Sequence, residues 1–89
     1  MECLFSNKAE FNGNLSRWQV GQVTNMSYMF HGATSFNGDL SGWDVGQVTG
    51  MIWMFRNATS FNRQLGGAWS GSTAEGMTDM FLGSGGSIV

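Results

Sequence analysis

His31 is the only histidine of the 89-residue chain, and Ser27 and Ser35 flank it. A histidine, a serine and a carboxylate are the side chains from which a hydrolytic triad is built. However, when the sequence is compared with itself 25 residues further on, His31 aligns with Arg56, so this position is variable. We therefore expect His31 to face solvent, and the sequence predicts no catalytic residue.

The acidic residues also lack an arrangement suited to catalysis. They never form the closely paired, fixed spacing that a general acid and base need. Asp39 and Asp44 are possible calcium ligands, but Asn14 and Gln19 stand at the equivalent positions one repeat earlier, so no regular metal site follows. The sequence therefore predicts no enzyme, no metal and no cofactor. The six acidic residues are Glu2, Glu10, Asp39, Asp44, Glu75 and Asp79.

Composition excludes further classes of function. Cys3 is the only cysteine, so neither an intrachain disulfide nor a zinc site made of several cysteines is available. Charged residues make up 11% of the chain and the net charge is -2, so no basic patch exists for nucleic acid. No apolar run approaches the roughly 18 residues of a membrane span, and the first residues do not have the pattern of a secretory signal peptide.

The strongest signal is an internal repeat. Residues 11–35 and 36–60 are identical at 17 of 25 positions. Residues 61–87 form a third, degenerate copy with one extra residue, and residues 1–10 fit the second half of a copy that precedes the first. Because a unit of this size cannot bury its own apolar face, stacked copies are expected to share one core. We predict one domain over residues 1–89, as a fragment of a longer array.

One copy predicts two kinds of element. In residues 36–41 the alternation around Leu40 favours a short strand. Val48, Met51, Met54 and Phe55 follow at the spacing of one helix face, and Thr49 is a suitable N-cap. The expected fold is an α/β solenoid, a leucine-rich-repeat-like coil with short parallel β-strands on one side and short helices on the other.

Equivalent residues of successive copies form columns, which we expect to be buried in the core. A column of asparagines has the same spacing, and we expect these side chains to bond the backbone of adjacent copies. The apolar columns are Phe11/Phe36/Phe61, Leu15/Leu40/Leu65, Met29/Met54/Met80, Phe30/Phe55/Phe81 and Trp18/Trp43/Trp69, and the asparagines are Asn12/Asn37/Asn62.

These residues resemble the BspA-like leucine-rich-repeat surface proteins, whose repeats carry an L-S-x-W/F-D-x-S-x-V-T-x-M-x-x-M-F core. The resemblance covers essentially the whole chain. It departs at Gln19, which replaces the Asp found at Asp44, and in the third copy, where Ala74 and Glu75 replace the Val-Thr pair. The matching residues are Leu40, Ser41, Trp43, Asp44, Val48, Thr49, Met51, Met54 and Phe55, and one copy earlier Leu15, Ser16, Trp18, Val23, Thr24, Met26, Met29 and Phe30.

The resemblance implies a right-handed solenoid at the cell surface or outside the cell, with a role in adhesion or in binding host and matrix proteins. The exposed strand positions are then the best candidates for partner contact, as a polar ribbon. A spacer or stalk segment of a longer surface protein is the alternative function. The polar ribbon consists of Asn14, Ser16, Arg17, Asp39, Ser41 and Gln64.

The number of copies also bears on stability. About three and a half copies lie near the lower limit for a solenoid, and both ends expose apolar surface where another copy docks. We therefore expect the isolated chain to be marginally stable or to associate end to end.

Overall fold

Backbone hydrogen bonds join each copy of the repeat to the next. The computed structural model describes residues 1–77 and 79–89, so Thr78 of the third copy lies outside the described residues. Tyr28 N donates to Ile52 O and Phe30 N to Met54 O, each at 2.8 Å. Successive copies therefore stack in parallel, and isolated parallel bridges mark the same stacking at Asn25–Gly50 and Gly50–Glu75.

The regular elements of the described residues are short and lie late in the chain. Strand β1 spans Gln64–Leu65, a single turn of 3-10 helix spans Gly67–Trp69, and strand β2 spans Ser87–Ile88. The two strands are parallel, with Gln64 opposite Ser87 and Leu65 opposite Ile88. The remaining described residues form turns, bends, isolated bridges and extended connections.

The short helices predicted from the sequence are not found in the described residues. The segment from Met51 to Phe55 is a run of turns, and the equivalent segment of the first copy is the same. The reason lies in the backbone donors. In an α-helix Phe30 N would bond the carbonyl four residues earlier, but it bonds Met54 O of the next copy. The intervening N–H groups form hydrogen bonds within their own copy and so close local turns. For example, Met29 N donates to Met26 O at 3.2 Å.

Thr49, predicted as a helix N-cap, instead ties two copies together. Its hydroxyl donates to Thr24 O at 3.1 Å, and its backbone N–H donates to the same carbonyl at 2.7 Å. The turn segments also contain residues with positive φ, which an α-helix does not allow. Gly32 (φ 71°) and Asn57 (φ 59°) adopt the left-handed conformation, which glycine and asparagine tolerate well, and no helix precedes them.

The strand predicted over residues 36–41 is also not formed, and only the third copy has a strand at the equivalent place, β1. The strand of the third copy pairs with β2, and at the start of this segment asparagine side chains join the copies. Asn37 N donates to Asn12 Oδ1, and Asn62 N donates to Asn37 Oδ1, each at 2.9 Å. A side-chain oxygen thus takes the place of the backbone acceptor that a strand ladder uses. The predicted bonding role of the asparagine column is confirmed.

Phenylalanines form a continuous stack through the centre of the core. Phe30 lies 4.2 Å from Phe36 within its own copy and 5.4 Å from Phe55 in the next, between ring centroids. Phe55 lies 4.3 Å from Phe61 and 5.3 Å from Phe81. Every member of the apolar columns is buried except Phe11 and Phe81, which are half-buried, and Trp18, which is exposed. The seven stacked rings are Phe5, Phe11, Phe30, Phe36, Phe55, Phe61 and Phe81.

Tryptophans fasten one side of the core. The indole N–H of Trp43 donates to Leu15 O, and that of Trp69 donates to Leu40 O, each at 2.9 Å. A buried N–H that reaches a carbonyl of the preceding copy satisfies two polar groups at once. Trp18 belongs to the same column but is 42% exposed, and its ring lies 5.9 Å from that of Phe5.

Residues 82–89 cover the third copy. Gly85 N donates to Phe61 O at 2.9 Å, and Val89 N donates to Leu65 O at 3.0 Å. Leu65 is completely buried beneath this segment. The C-terminal segment therefore covers the apolar end of the third copy.

Candidate functional site

The structure places all six residues of the polar ribbon at exposed positions. Leu15, Leu40 and Leu65 alternate with them and are buried, so the predicted division of inward and outward side chains is observed. The exposed residues are Asn14, Ser16, Arg17, Asp39, Ser41 and Gln64.

Local hydrogen bonds fix two of these side chains. Asn14 Oδ1 accepts from Ser16 N, and Asp39 Oδ1 accepts from Ser41 N, each at 3.0 Å. In both copies an Asn or Asp side chain closes a small turn with the backbone two residues later. The two side chains are therefore held in equivalent orientations on neighbouring copies.

Part of the ribbon borders a shallow polar concavity of about 330 Å³. Asn14, Ser16 and Asp39 line it, whereas Arg17, Ser41 and Gln64 do not. Residues of three successive copies form its wall. We call this feature the polar concavity. Its lining residues are Asn12, Gly13, Asn14, Ser16, Gly38, Asp39 and Arg63.

The floor of the polar concavity is glycine for a steric reason. A Cβ atom at Gly13 would lie 2.8 Å from the Phe11 ring, and one at Gly38 would lie 2.8 Å from the Phe36 ring. Each phenylalanine folds back beneath the glycine two residues later. Because Gly13 and Gly38 have no side chains, the space between the polar residues stays open.

Arg63 is the charged residue of the concavity that the sequence did not suggest. It occupies the position of Gly13 and Gly38 in the third copy, and its Nε donates to Asn37 O at 3.0 Å. A single arginine in a column of glycines is the signal that could have revealed it. Together with Asp39, Arg63 gives the concavity one negatively and one positively charged side chain.

The Asp39 carboxylate is stabilised in its charged form. The backbone N–H of Ser41 contributes most to lowering the pKa of Asp39 below its ordinary value of 3.8, followed by the Ser41 hydroxyl and the positive charge of Arg63. Asp39 is therefore an anion throughout the neutral range. Such a group accepts hydrogen bonds, but it is poorly suited to proton transfer near neutral pH.

His31 was expected to face solvent, but the structure places it at a partly covered position. It is half-buried, with its ring centroid 6.3 Å from Tyr28 and 5.7 Å from Trp53. Ser27, one of its possible partners in a triad, is buried, and its hydroxyl accepts a bond from Ile52 N at 3.2 Å. The histidine is thus part of an aromatic surface.

Two further concavities lie elsewhere on the molecule. One, of about 420 Å³, includes Trp18, Gln22 and Asp44, and another, of about 460 Å³, lies at residues 8–11. Residues 1–77 and 79–89 contain no group of three or more His, Cys, Asp or Glu side chains able to hold a metal ion. No helix among them is long and apolar enough to cross a membrane.

A family model described as "Mycoplasma protein of unknown function, DUF285" matches residues 1–86, nearly the whole sequence. The match includes every residue of the polar concavity. No curated protein and no solved structure matches the chain significantly.

Proposed function

We propose that the chain, which belongs to the DUF285 family of unknown function, is a non-enzymatic binding module of a cell-surface or secreted protein. In this proposal the copies form a leucine-rich-repeat-like solenoid of the BspA-like kind. The polar concavity contacts a protein partner, such as a component of the extracellular matrix.

The observation that carries this proposal is the composition of the concavity wall. Equivalent positions of three successive copies meet there, and the residues differ between copies: Asn14 becomes Asp39, and Gly38 becomes Arg63. The buried residues beneath are nearly unchanged between copies. A stacked scaffold with variable exposed positions is how repeat proteins make extended binding surfaces.

The polar groups of the concavity are also ordered before any partner arrives. Asn14 and Asp39 are held by bonds to the backbone, and Arg63 by its bond to Asn37 O. Side chains that are already fixed lose less conformational entropy on binding. The adjacent opposite charges of Asp39 and Arg63 favour a partner that offers both a cationic and an anionic group.

Binding can be measured by biolayer interferometry of the 89-residue chain on a panel of purified extracellular-matrix proteins. For a protein that binds, Asp39→Lys is expected to weaken affinity at least tenfold, because it reverses a charge within the concavity. Asp44→Lys is the matched control. Asp44 also accepts a bond from a backbone N–H two residues later, at Gly46, but lies outside this concavity.

A second pair of variants separates the concavity from the rest of the ribbon. Arg63→Glu is expected to weaken binding, whereas Arg17→Glu, exposed but outside the concavity, is expected to have little effect. Unchanged binding by folded Asp39→Lys and Arg63→Glu variants would show that the partner uses another face. A wild-type chain that binds no protein of the panel would contradict the proposal and favour a spacer function.

A further inference from the structure

Asparagine is followed directly by glycine at the same place in the first and second copies. The pairs are Asn12–Gly13 and Asn37–Gly38, whereas in the third copy Asn62 is followed by Arg63. Two separate requirements of the fold bring the residues of each pair together. The asparagine side chain bonds the next copy, and the glycine leaves room for a phenylalanine ring. The fold therefore places a chemically labile amide beside the least hindered backbone nitrogen.

In such a pair the glycine nitrogen can attack the side-chain amide of the asparagine. A bond forms between this nitrogen and Cγ, the bond from Cγ to the amide NH2 breaks, and the proton of the glycine nitrogen leaves with the NH2 as ammonia. The product is a five-membered succinimide ring, which water opens at either carbonyl to give aspartate or isoaspartate. No electrons are transferred. Any other residue after the asparagine slows the attack, because its Cβ crowds the nitrogen and restricts the backbone.

The two glycine nitrogens are free of competing bonds. No hydrogen bond from Gly13 N or Gly38 N is found within residues 1–77 and 79–89. Neither glycine lies in a helix or a strand, so no ladder bond holds its N–H. Both residues line the polar concavity, where water reaches them.

The asparagine amides are polarised by the same bonds that join the copies. Asn37 N donates to Asn12 Oδ1, and Asn62 N donates to Asn37 Oδ1, each at 2.9 Å. A donor on the amide oxygen stabilises the negative charge that this oxygen gains when a nitrogen attacks Cγ, as the donors of an oxyanion hole do. Both the nucleophile and the electrophile of the reaction are therefore present.

The two asparagines differ in how firmly the fold holds their backbone. Asn37 is half-buried, its N–H donates to Asn12, and its carbonyl accepts from Arg63 Nε at 3.0 Å. Asn12 is exposed, and the described part of the chain shows no hydrogen bond from its backbone N–H or to its carbonyl. Because ring closure requires the asparagine to rotate toward the next nitrogen, the less restrained Asn12 should react first.

We propose that Asn12 is a site of uncatalysed deamidation, in which Gly13 N displaces ammonia and a carboxylate replaces the amide in the wall of the polar concavity. The aspartate product keeps an oxygen for Asn37 N, so the contact between copies survives. The charged residues of the wall, Asp39 and Arg63, balance each other before the reaction, and the wall is net negative after it. The modification itself does not depend on the proposed function, whereas its effect on a partner rests on it.

The test is incubation of the folded 89-residue chain at neutral pH and physiological temperature, followed by peptide mapping with mass spectrometry. We expect Asn12 to be converted at least about fivefold faster than Asn37, and Asn62 to stay unchanged over the same time. The succinimide route also requires a mixture of aspartate and isoaspartate at position 12, which enzymatic methylation of isoaspartate detects. An Asn12 that stays intact in the folded chain would overturn the proposal, and aspartate without isoaspartate would overturn the role of Gly13 N.

Unfolding separates the effect of the structure from that of the residue pair. In concentrated urea the two pairs lose their different restraints, so Asn12 and Asn37 should be converted at equal rates. Equal rates in the folded chain as well would contradict the assignment to Asn12.

Two variants at position 12 complete the test. Asn12→Gln keeps a side-chain amide but needs a larger ring, so the early acidic species seen by ion-exchange chromatography is expected to disappear. Its formation at the wild-type rate would overturn the proposal. Asn12→Asp represents the aspartate product, and its circular dichroism spectrum should match that of the wild type. An unfolded Asn12→Asp variant would show that the modification damages the fold instead of changing the charge of the concavity.

Discussion

The rings of Phe30 and Phe55 lie almost parallel, 4° apart, with 5.4 Å between their centroids. They occupy the same position in neighbouring copies, and both are completely buried. Phe81 continues the column at 5.3 Å from Phe55. These short distances between nearly parallel rings show that the copies are stacked through their side chains as well as through their backbones.

Phe55 is therefore expected to be a major contributor to stability. Phe55→Ala should lower the free energy of unfolding by about 3–5 kcal/mol, since it removes a buried ring from the middle of the stack. The measurement is urea denaturation followed by tryptophan fluorescence.

Phe81→Ala is the control for this prediction, because Phe81 is half-buried at the end of the stack. Its loss should cost clearly less than that of Phe55. Equal losses in the two variants would mean that position within the stack does not matter.

Trp43 is expected to stabilise the fold through its indole N–H as well as through its volume. In Trp43→Phe, the Leu15 carbonyl loses one of its two donors and keeps the bond from Trp18 N, and a small void forms. We expect a loss of about 1–3 kcal/mol, from the lost hydrogen bond and the void together. Trp18→Phe should cost much less, because Trp18 is 42% exposed. Thermal unfolding by circular dichroism compares the two, and equal shifts in Tm would contradict the role of the Leu15 bond.

The sequence predicted the period and the buried columns because stacked copies bury the same position in every copy. It did not predict the turn segments correctly. The spacing of Met51, Met54 and Phe55 fits one face of a helix, but it also fits a run of turns whose alternate N–H groups reach the next copy. Hydrogen bonds between copies decide between the two, and a single-copy pattern contains no information about them.

Only part of the candidate site could be predicted, for a similar reason. Asn14, Ser16 and Asp39 follow from the alternation of exposed and buried residues around Leu15 and Leu40. Arg63 stands out as the arginine in a column of glycines, but its contact with Asn37 O could not be predicted without knowing how the copies lie side by side. The left-handed backbone at Cys3, Tyr28 and Trp53 could not be predicted from residue types, since a left-handed φ is normally inferred from glycine or asparagine.

Gly38 is expected to tolerate no side chain. In Gly38→Ala, the new Cβ would lie 2.8 Å from the buried Phe36 ring, which is packed in the stack and cannot move freely. We expect a loss of about 1–3 kcal/mol, as in other overpacked sites. Gly42→Ala is the matched control in the same copy. No atom lies within 4 Å of its Cβ position, so it should be neutral or slightly stabilising. A Gly38→Ala variant as stable as Gly42→Ala would show that Phe36 can shift.

Asp39 should give the fold a specific sensitivity to acid. Because the folded state lowers the pKa of Asp39 below 3.8, through Ser41 first and Arg63 to a lesser extent, the folded state favours the carboxylate. This contribution to stability is fully present above about pH 4–5, and it is lost as the pH falls below 3.8 and through the pKa of the folded state.

Asp39→Asn keeps the acceptor for Ser41 N, as Asn14 does one copy earlier, but it does not titrate. The difference in free energy of unfolding between the wild type and Asp39→Asn should therefore be constant from pH 7 to 5 and should move against the wild type between pH 4 and 2. Denaturation curves for the two proteins across this range provide the measurement, and parallel curves throughout would contradict the assignment.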